Sequence, residues 1–183
     1  MFKSLLMEDI IVQVAVDLIR MMAGILAALV FSAGALYTGM GLLDRLTSGI
    51  DEWKEIRKGN AAVGLLFATV MISMILLIGP RIAEMVYPIQ NDMGLPATQL
   101  IVLLLFTLVN YLLGLLAAIV LIYLTINLID RITPDLEELA ELKKGNLAVA
   151  LILSAALVLV VLTASTGMEN LFSMIKSVES LFI

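Results

Sequence analysis

The polar groups that could carry chemistry in this chain are few, and most of them occur twice. Asp44-Arg45 and Asp130-Arg131 set a carboxylate beside a guanidinium. Such a pair can grip a lipid phosphate, close an ion pair or contribute to a hard-cation site. Gly59-Asn60 and Gly145-Asn146 join a residue free to turn left-handed to a side chain able to cap the next helix. Capped helix N-termini also attract anions, so a ligand role for the two Asn stands beside the structural one. Thr47, Thr133 and Pro134 complete the set. The chain contains no Cys and no His. Disulfides, thiolate nucleophiles, imidazole acid–base catalysis and the usual soft metal sites are thereby excluded. Nothing supplies the rest of a cation site at Asp44 or Asp130. No catalytic, cofactor-binding or metal-binding residue is therefore assigned, and no enzymatic activity is expected.

These groups sit at the edges of long stretches without charge. Residues 21–43, 59–80, 93–129 and 147–168 contain no Asp, Glu, Lys or Arg. About 20 apolar residues in a helix cross a hydrocarbon core of about 30 Å. The expected fold class is an all-α membrane protein with four transmembrane helices, over 21–43, 61–79, 97–129 and 147–166. A very apolar soluble bundle is the rival, but no run carries a polar stripe at helical period. With 62% apolar and 15% charged residues among 183, too little polar surface remains to coat a soluble core. The net charge of −5 disfavours a nucleic-acid partner. Gly94 and Pro96 favour starting the third helix at Ala97, which makes it longer than one crossing, and Asn110 and Tyr111 mark where it leaves the lipid. The spans hold no ionised group, so any path through them would be uncharged, lined by Thr38, Thr69, Ser73, Asn110, Thr125, Asn127, Ser154 and Thr163.

Outside the spans, Ile10, Ile11, Val14, Leu18 and Met21 recur at helical spacing with Asp17 and Arg20 between them. Residues 1–20 are expected to form an amphipathic interfacial helix running into the first span. Glu8 and Asp9 stand where a removable signal peptide would be basic, so none is expected. Residues 168–183 repeat the amphipathic design, and 81–96 are expected to form an external loop with an interfacial helix.

Sliding the chain by 86 residues lays 44–63 on 130–149, with ten of twenty positions identical. The chain reads as two tandem repeats, 21–80 and 97–166, each a span, a charged connector and a span. Two spans per repeat make the copies parallel, so both connectors fall on one side and both termini on the other. Seven of the eleven Lys and Arg lie in the connectors, which the positive-inside rule places in the cytoplasm with the N- and C-termini outside. Thr133-Pro134-Asp135 reads as a helix start, with Thr47 as the matching cap in the first connector. Each connector is expected to be a short amphipathic helix along the membrane surface, with Trp53 at headgroup depth. Ala28 and Ser32 correspond to Gly114 and Ala118, small residues that let helices approach closely.

The run Asp-Arg-Ile-Thr-Pro followed by Glu-Leu-Lys-Lys-Gly-Asn-x-Ala-Val-Ala resembles the signature of domain-of-unknown-function family 350, small prokaryotic membrane proteins with two such units and four spans. The resemblance covers most of 21–165 and is cleaner in the second copy, since Ser48-Gly49 replaces the Pro-containing turn in the first. It implies a multi-pass protein of a prokaryotic cell membrane, in the setting of envelope maintenance, and assigns no reaction. The function expected is a non-enzymatic, self-assembling scaffold or adaptor without a cofactor. Its expected partners are membrane lipids, further copies of itself and a cytoplasmic protein. An oligomeric channel or uncoupled transporter with an uncharged pore is the alternative.

Overall fold

A computed structural model of the chain describes residues 2–47, 50–91, 94–132 and 137–179, and all regular structure among them is helical. The elements are α1 (Phe2–Leu46), α2 (Glu52–Arg57), α3 (Ala61–Gln90), α4 (Ala97–Ile132), α5 (Glu138–Lys143) and α6 (Leu147–Glu179). Four of them are long and apolar enough to cross a membrane. A helix suits that solvent because it satisfies its main-chain polar groups within itself.

α3 is the central helix. It packs against α1, α4 and α6, while α4 also touches α6 and α1. The seam is filled by Leu43 from α1, Val70, Met74 and Ile78 from α3, Ala118 and Ile122 from α4, and Leu157 and Val161 from α6. Between helices in lipid, close packing rather than the expulsion of water supplies most of the attraction. Small residues matter for that reason. Gly39 lies against Met71 and Met74, and Gly24 against Gln90, so α1 and α3 run antiparallel in tight contact.

The termini are not separate elements. α1 carries the N-terminal segment into the first span without a break, and α6 carries the last span on to Glu179. The connection between the repeats is shorter than the charges at Arg81 and Glu84 suggest. α3 passes through Pro80 and Pro88 to Gln90, so the helix includes most of the segment expected to be a loop. Each proline removes one helical hydrogen bond. The buried series Leu77, Ile78, Arg81, Ile82, Met85 and Val86 keeps the helical period, and its packing carries the helix across both.

α2 and α5 lie at one end of the bundle. The Asn60 side chain, where the first connector ends, donates to the Leu142 carbonyl in α5 over 2.9 Å. From Ala61 to Arg81 the helix rises about 30 Å, roughly one hydrocarbon thickness. The bundle thus has a connector end and, one membrane thickness away, an end where charge reappears.

Candidate functional site

The connector end is organised by a device that the duplication repeats. In Glu55-Ile56-Arg57-Lys58-Gly59-Asn60, the Gly59 N–H closes on Ile56, and the Asn60 N–H on the Glu55 carbonyl. Gly59 has φ +83°, and Gly145 in the second copy has φ +81°. Only glycine takes that left-handed turn without strain. Asn60 Oδ1 then accepts from the Ala62 and Val63 N–H groups, starting α3. Its Nδ2 donates to Glu55, whose other oxygen accepts from Lys58 Nζ at 2.6 Å. Glu141, Lys144, Gly145 and Asn146 make the same set, with Asn146 capping Ala148 and Val149. Hydrogen bonds from Lys58 and Asn60 hold the Glu55 carboxyl below its ordinary value, and those from Asn146 and Lys144 do the same for Glu141. The Glu-x-x-Lys-Gly-Asn identity between the copies is therefore a helix stop and restart within two residues.

Thr47 does not cap α2. Asp51 does, its carboxylate accepting from the Lys54 N–H at 2.9 Å. Thr47 shares its hydroxyl between the Leu43 carbonyl, at 2.8 Å, and the buried Glu52 carboxyl. Burial pushes the Glu52 pKa up, and the neighbouring Asp44 adds to the effect. Glu138, at the repeat-equivalent position, is also buried. Thr133, Pro134 and the side chain of Asp130 lie outside the described residues.

Arg45 lines a crevice with Tyr37, Asp44 and Trp53, and Arg131 lines one with Tyr123 and Asn127. Tyr37 and Tyr123 are repeat equivalents, so each copy presents a Tyr–Arg notch at the connector end.

At the other end stands a cluster the sequence reading did not assemble. Arg81 is only 2 % exposed. Its Nη1 donates to both oxygens of Glu84 at 3.1 and 3.0 Å, and its Nη2 to Glu169 in α6 at 3.0 Å. Lys176, also in α6, pairs with Glu84 at 2.7 Å. The Arg81 guanidinium carbon lies 4.1 Å from the centre of the Phe172 ring, a cation–π contact. Space for the arginine stem comes from Gly114, where a Cβ would sit 2.9 Å from Arg81 Cγ. The two cations and two carboxylates sum to zero and bolt α3 to α6. A buried charge persists in such a place only when paired and hydrogen-bonded.

Beside this bolt, Ala83, Glu84, Tyr87 and Pro88 of α3, Leu103, Thr107 and Asn110 of α4, and Lys176 line an open cleft of about 380 Å³. Asn110 is 1 % exposed, and neither its Oδ1 nor its Nδ2 has a hydrogen-bond partner among the described residues. Leaving such groups unpaired costs roughly 1–3 kcal/mol each unless something else satisfies them. Ser73 and Ser154, buried deeper in the bundle, have hydroxyls in the same condition.

The profile of the family described as Domain of Unknown Function (DUF350) matches this chain twice, over residues 14–109 and 102–181. The chain belongs to that family. No curated protein and no solved structure matches it.

The two DUF350 regions hold one connector each, and the residues shared between them divide by role. Those of the connectors build the stop–start device and the Asp44–Thr47–Glu52 contact. The small residues pack within the chain: Ala118 is fully buried, and Ala28 and Ser32 line a groove against α3. Tyr111 reaches from α4 to the Phe31 carbonyl of α1 at 3.0 Å, joining the first helices of the two DUF350 units. Of the eight residues expected along an uncharged path, Thr69, Ser73, Asn110, Thr125 and Ser154 are buried. Thr38 and Asn127 are half-buried and line the two connector-end crevices, Thr163 is exposed, and all three bond to their own helices. Arg81, Glu84, Glu169 and Lys176 were legible only as isolated charges, because Pro80 reads as a helix end. The apolar period continuing through Ile82, Met85 and Val86 was the available signal.

Proposed function

We propose that the protein is a non-enzymatic membrane scaffold that assembles with further copies of itself, its connectors facing the cytoplasm and its termini the opposite side. One observation carries this reading. Gly24 abuts the last residue of α3, and the preceding part of α1 projects beyond it as an arm of about 33 Å. From Met7 to Ala23 every described side chain is exposed except the half-buried Arg20. Met7, Ile11, Val14, Leu18, Met21 and Ile25 recur at alternating spacings of four and three, the seam of a paired helix. Asp9, Gln13, Asp17 and Arg20 gather on the opposite face, where Gln13 bonds Asp17 at 3.2 Å. A second copy of the arm covers such a seam and leaves the polar stripe in water. At the other end, the Asn60–Leu142 bond merges the two connectors into one mixed-charge surface suited to a soluble partner.

Single-molecule photobleaching of the labelled chain in lipid nanodiscs tests the assembly. Multiple bleaching steps are expected from the wild type, and single steps when Val14→Glu and Leu18→Glu are combined. Gln13→Ala, on the polar stripe, is expected to leave the count unchanged. A monomeric wild type, or an assembly indifferent to the seam variants, overturns the scaffold reading.

Ser73, Ser154 and Asn110, without side-chain hydrogen-bond partners among the described residues, favour a second reading, an uncharged permeation path. Liposomes containing the protein would then pass ions or small solutes, and Ser73→Val would reduce the flux. Absence of flux across a panel of ions and solutes removes it.

A further inference from the structure

The cleft beside Asn110 lies about 33–40 Å from the connectors along α3 and about 33 Å along α4, where a lipid headgroup layer meets the bundle. It is open at its sides: Tyr87 and Lys176 are exposed, and Leu103, Ala83 and Pro88 give it apolar walls. Its polar equipment is mixed in sign. Glu84 offers a carboxylate, and Pro88 has no N–H to give the Glu84 carbonyl, which leaves a main-chain acceptor beside it. Lys176 offers an ammonium. Asn110 offers a donor nitrogen, Nδ2, and an acceptor oxygen, Oδ1, both buried and both unpartnered among the described residues.

We propose that this cleft is a binding site for the headgroup of a phospholipid with a primary ammonium, of the phosphatidylethanolamine type. The lipid ammonium donates to Asn110 Oδ1 and to the Glu84 acceptors, while its phosphate accepts from Asn110 Nδ2 and Lys176 Nζ. The acyl chains then leave through the open side of the cleft into the surrounding lipid. Charge argues for a zwitterion. Arg81 and Lys176 are already balanced by Glu84 and Glu169, so no surplus cation is left to hold an anionic lipid. Hydrogen bonding argues against a choline headgroup, whose quaternary nitrogen has no N–H to satisfy Asn110 Oδ1. A cleft of about 380 Å³ falls in the range of small-ligand pockets.

The test uses the full chain in bilayers of equal parts phosphatidylethanolamine and phosphatidylcholine with identical acyl chains. After extraction in mild detergent, retained lipid is read by native mass spectrometry. Retention of the ethanolamine lipid at least tenfold above the choline lipid is expected, falling stepwise for the mono-, di- and trimethylated headgroups. Asn110→Leu is expected to bring the ratio back to that of the bilayer. It removes unpaired polar atoms, so its melting temperature in pure phosphatidylcholine should equal or exceed that of the wild type. Should that variant not fold, the wild-type headgroup series decides alone. Lipid retained in bilayer proportion, or an Asn110→Leu chain as selective as the wild type, overturns the site. So does displacement of the lipid by soluble phosphoethanolamine, which would make the ligand a free zwitterion.

Discussion

Replacing Asn60 and Asn146 separately by alanine uses the duplication as its own control. Each side chain caps a span, accepting from two N–H groups, and each donates to a glutamate of its own connector. Losing a cap of this kind costs about 1 kcal/mol. Asn60 alone also reaches the other repeat, donating to the Leu142 carbonyl at 2.9 Å. That carbonyl stands in the last turn of α5 and already accepts from the Gly145 N–H, so Asn60 is its second donor, from the other repeat. One such bond contributes about 0.5–1.5 kcal/mol. Asn146→Ala should therefore destabilise by about 1 kcal/mol and Asn60→Ala by about 2 kcal/mol. Denaturant titration in mixed micelles gives both values. The single tryptophan, Trp53, packs edge-on against Phe67 at 5.3 Å and serves as the fluorescent reporter. Equal costs, or a larger cost at Asn146, would refute the cross-repeat staple.

Gly114→Ala should push the Arg81 stem out of its slot and cost about 1–3 kcal/mol, measured in the same titration; an unchanged midpoint would mean that α4 does not shape the arginine site. The raised pKa of Glu52 has a definite sign. Its stabilising contribution is complete below the unfolded value near 4.5 and is lost as pH rises through the higher folded value. Glu52→Gln should accordingly stabilise the connector at neutral pH and flatten its pH dependence above 4.5, as read by Trp53 fluorescence. Glu55 and Glu141 act oppositely: their contributions are present above 4.5 and fade as pH falls through their lowered values. Glu141→Gln should remove part of the acid sensitivity that remains in the Glu52→Gln protein.

Four helices and two connectors were readable because lipid imposes length and charge-free composition on any span, and because duplication marks the residues both copies need. The Gly-Asn pairs disclosed their structural use for the same reason: left-handed glycine and Asx capping are local events within a few residues. The cap of α2 was misread at Thr47 because Ser, Thr and Asp all qualify, and spacing alone does not say which one faces the first free N–H. Asp51 does, and Thr47 instead bonds back to its own helix. The Arg81 bolt was illegible for a different reason. Pro80, Arg81 and Glu84 each argue for a helix end, and only packing against Gly114, Glu169 and Phe172 makes an interior arginine tenable. Those partners are more than 30 residues away in sequence, with no repeat to point at them: position 167, the equivalent of Arg81, is a glycine. Asn110 was read as a place where a helix leaves lipid, and the structure buries it beside the cleft.

That the two repeats enter the membrane in parallel is tested most directly by accessibility labelling. The chain has no cysteine, so single cysteines can be placed without background. Arg57 and Lys143, exposed repeat equivalents in the two connectors, and Gln13 on the arm are the sites. A membrane-impermeant maleimide applied to sealed vesicles of one orientation should label Arg57→Cys and Lys143→Cys alike, and Gln13→Cys only from the opposite face. Labelling of Arg57→Cys and Lys143→Cys from opposite faces would contradict it.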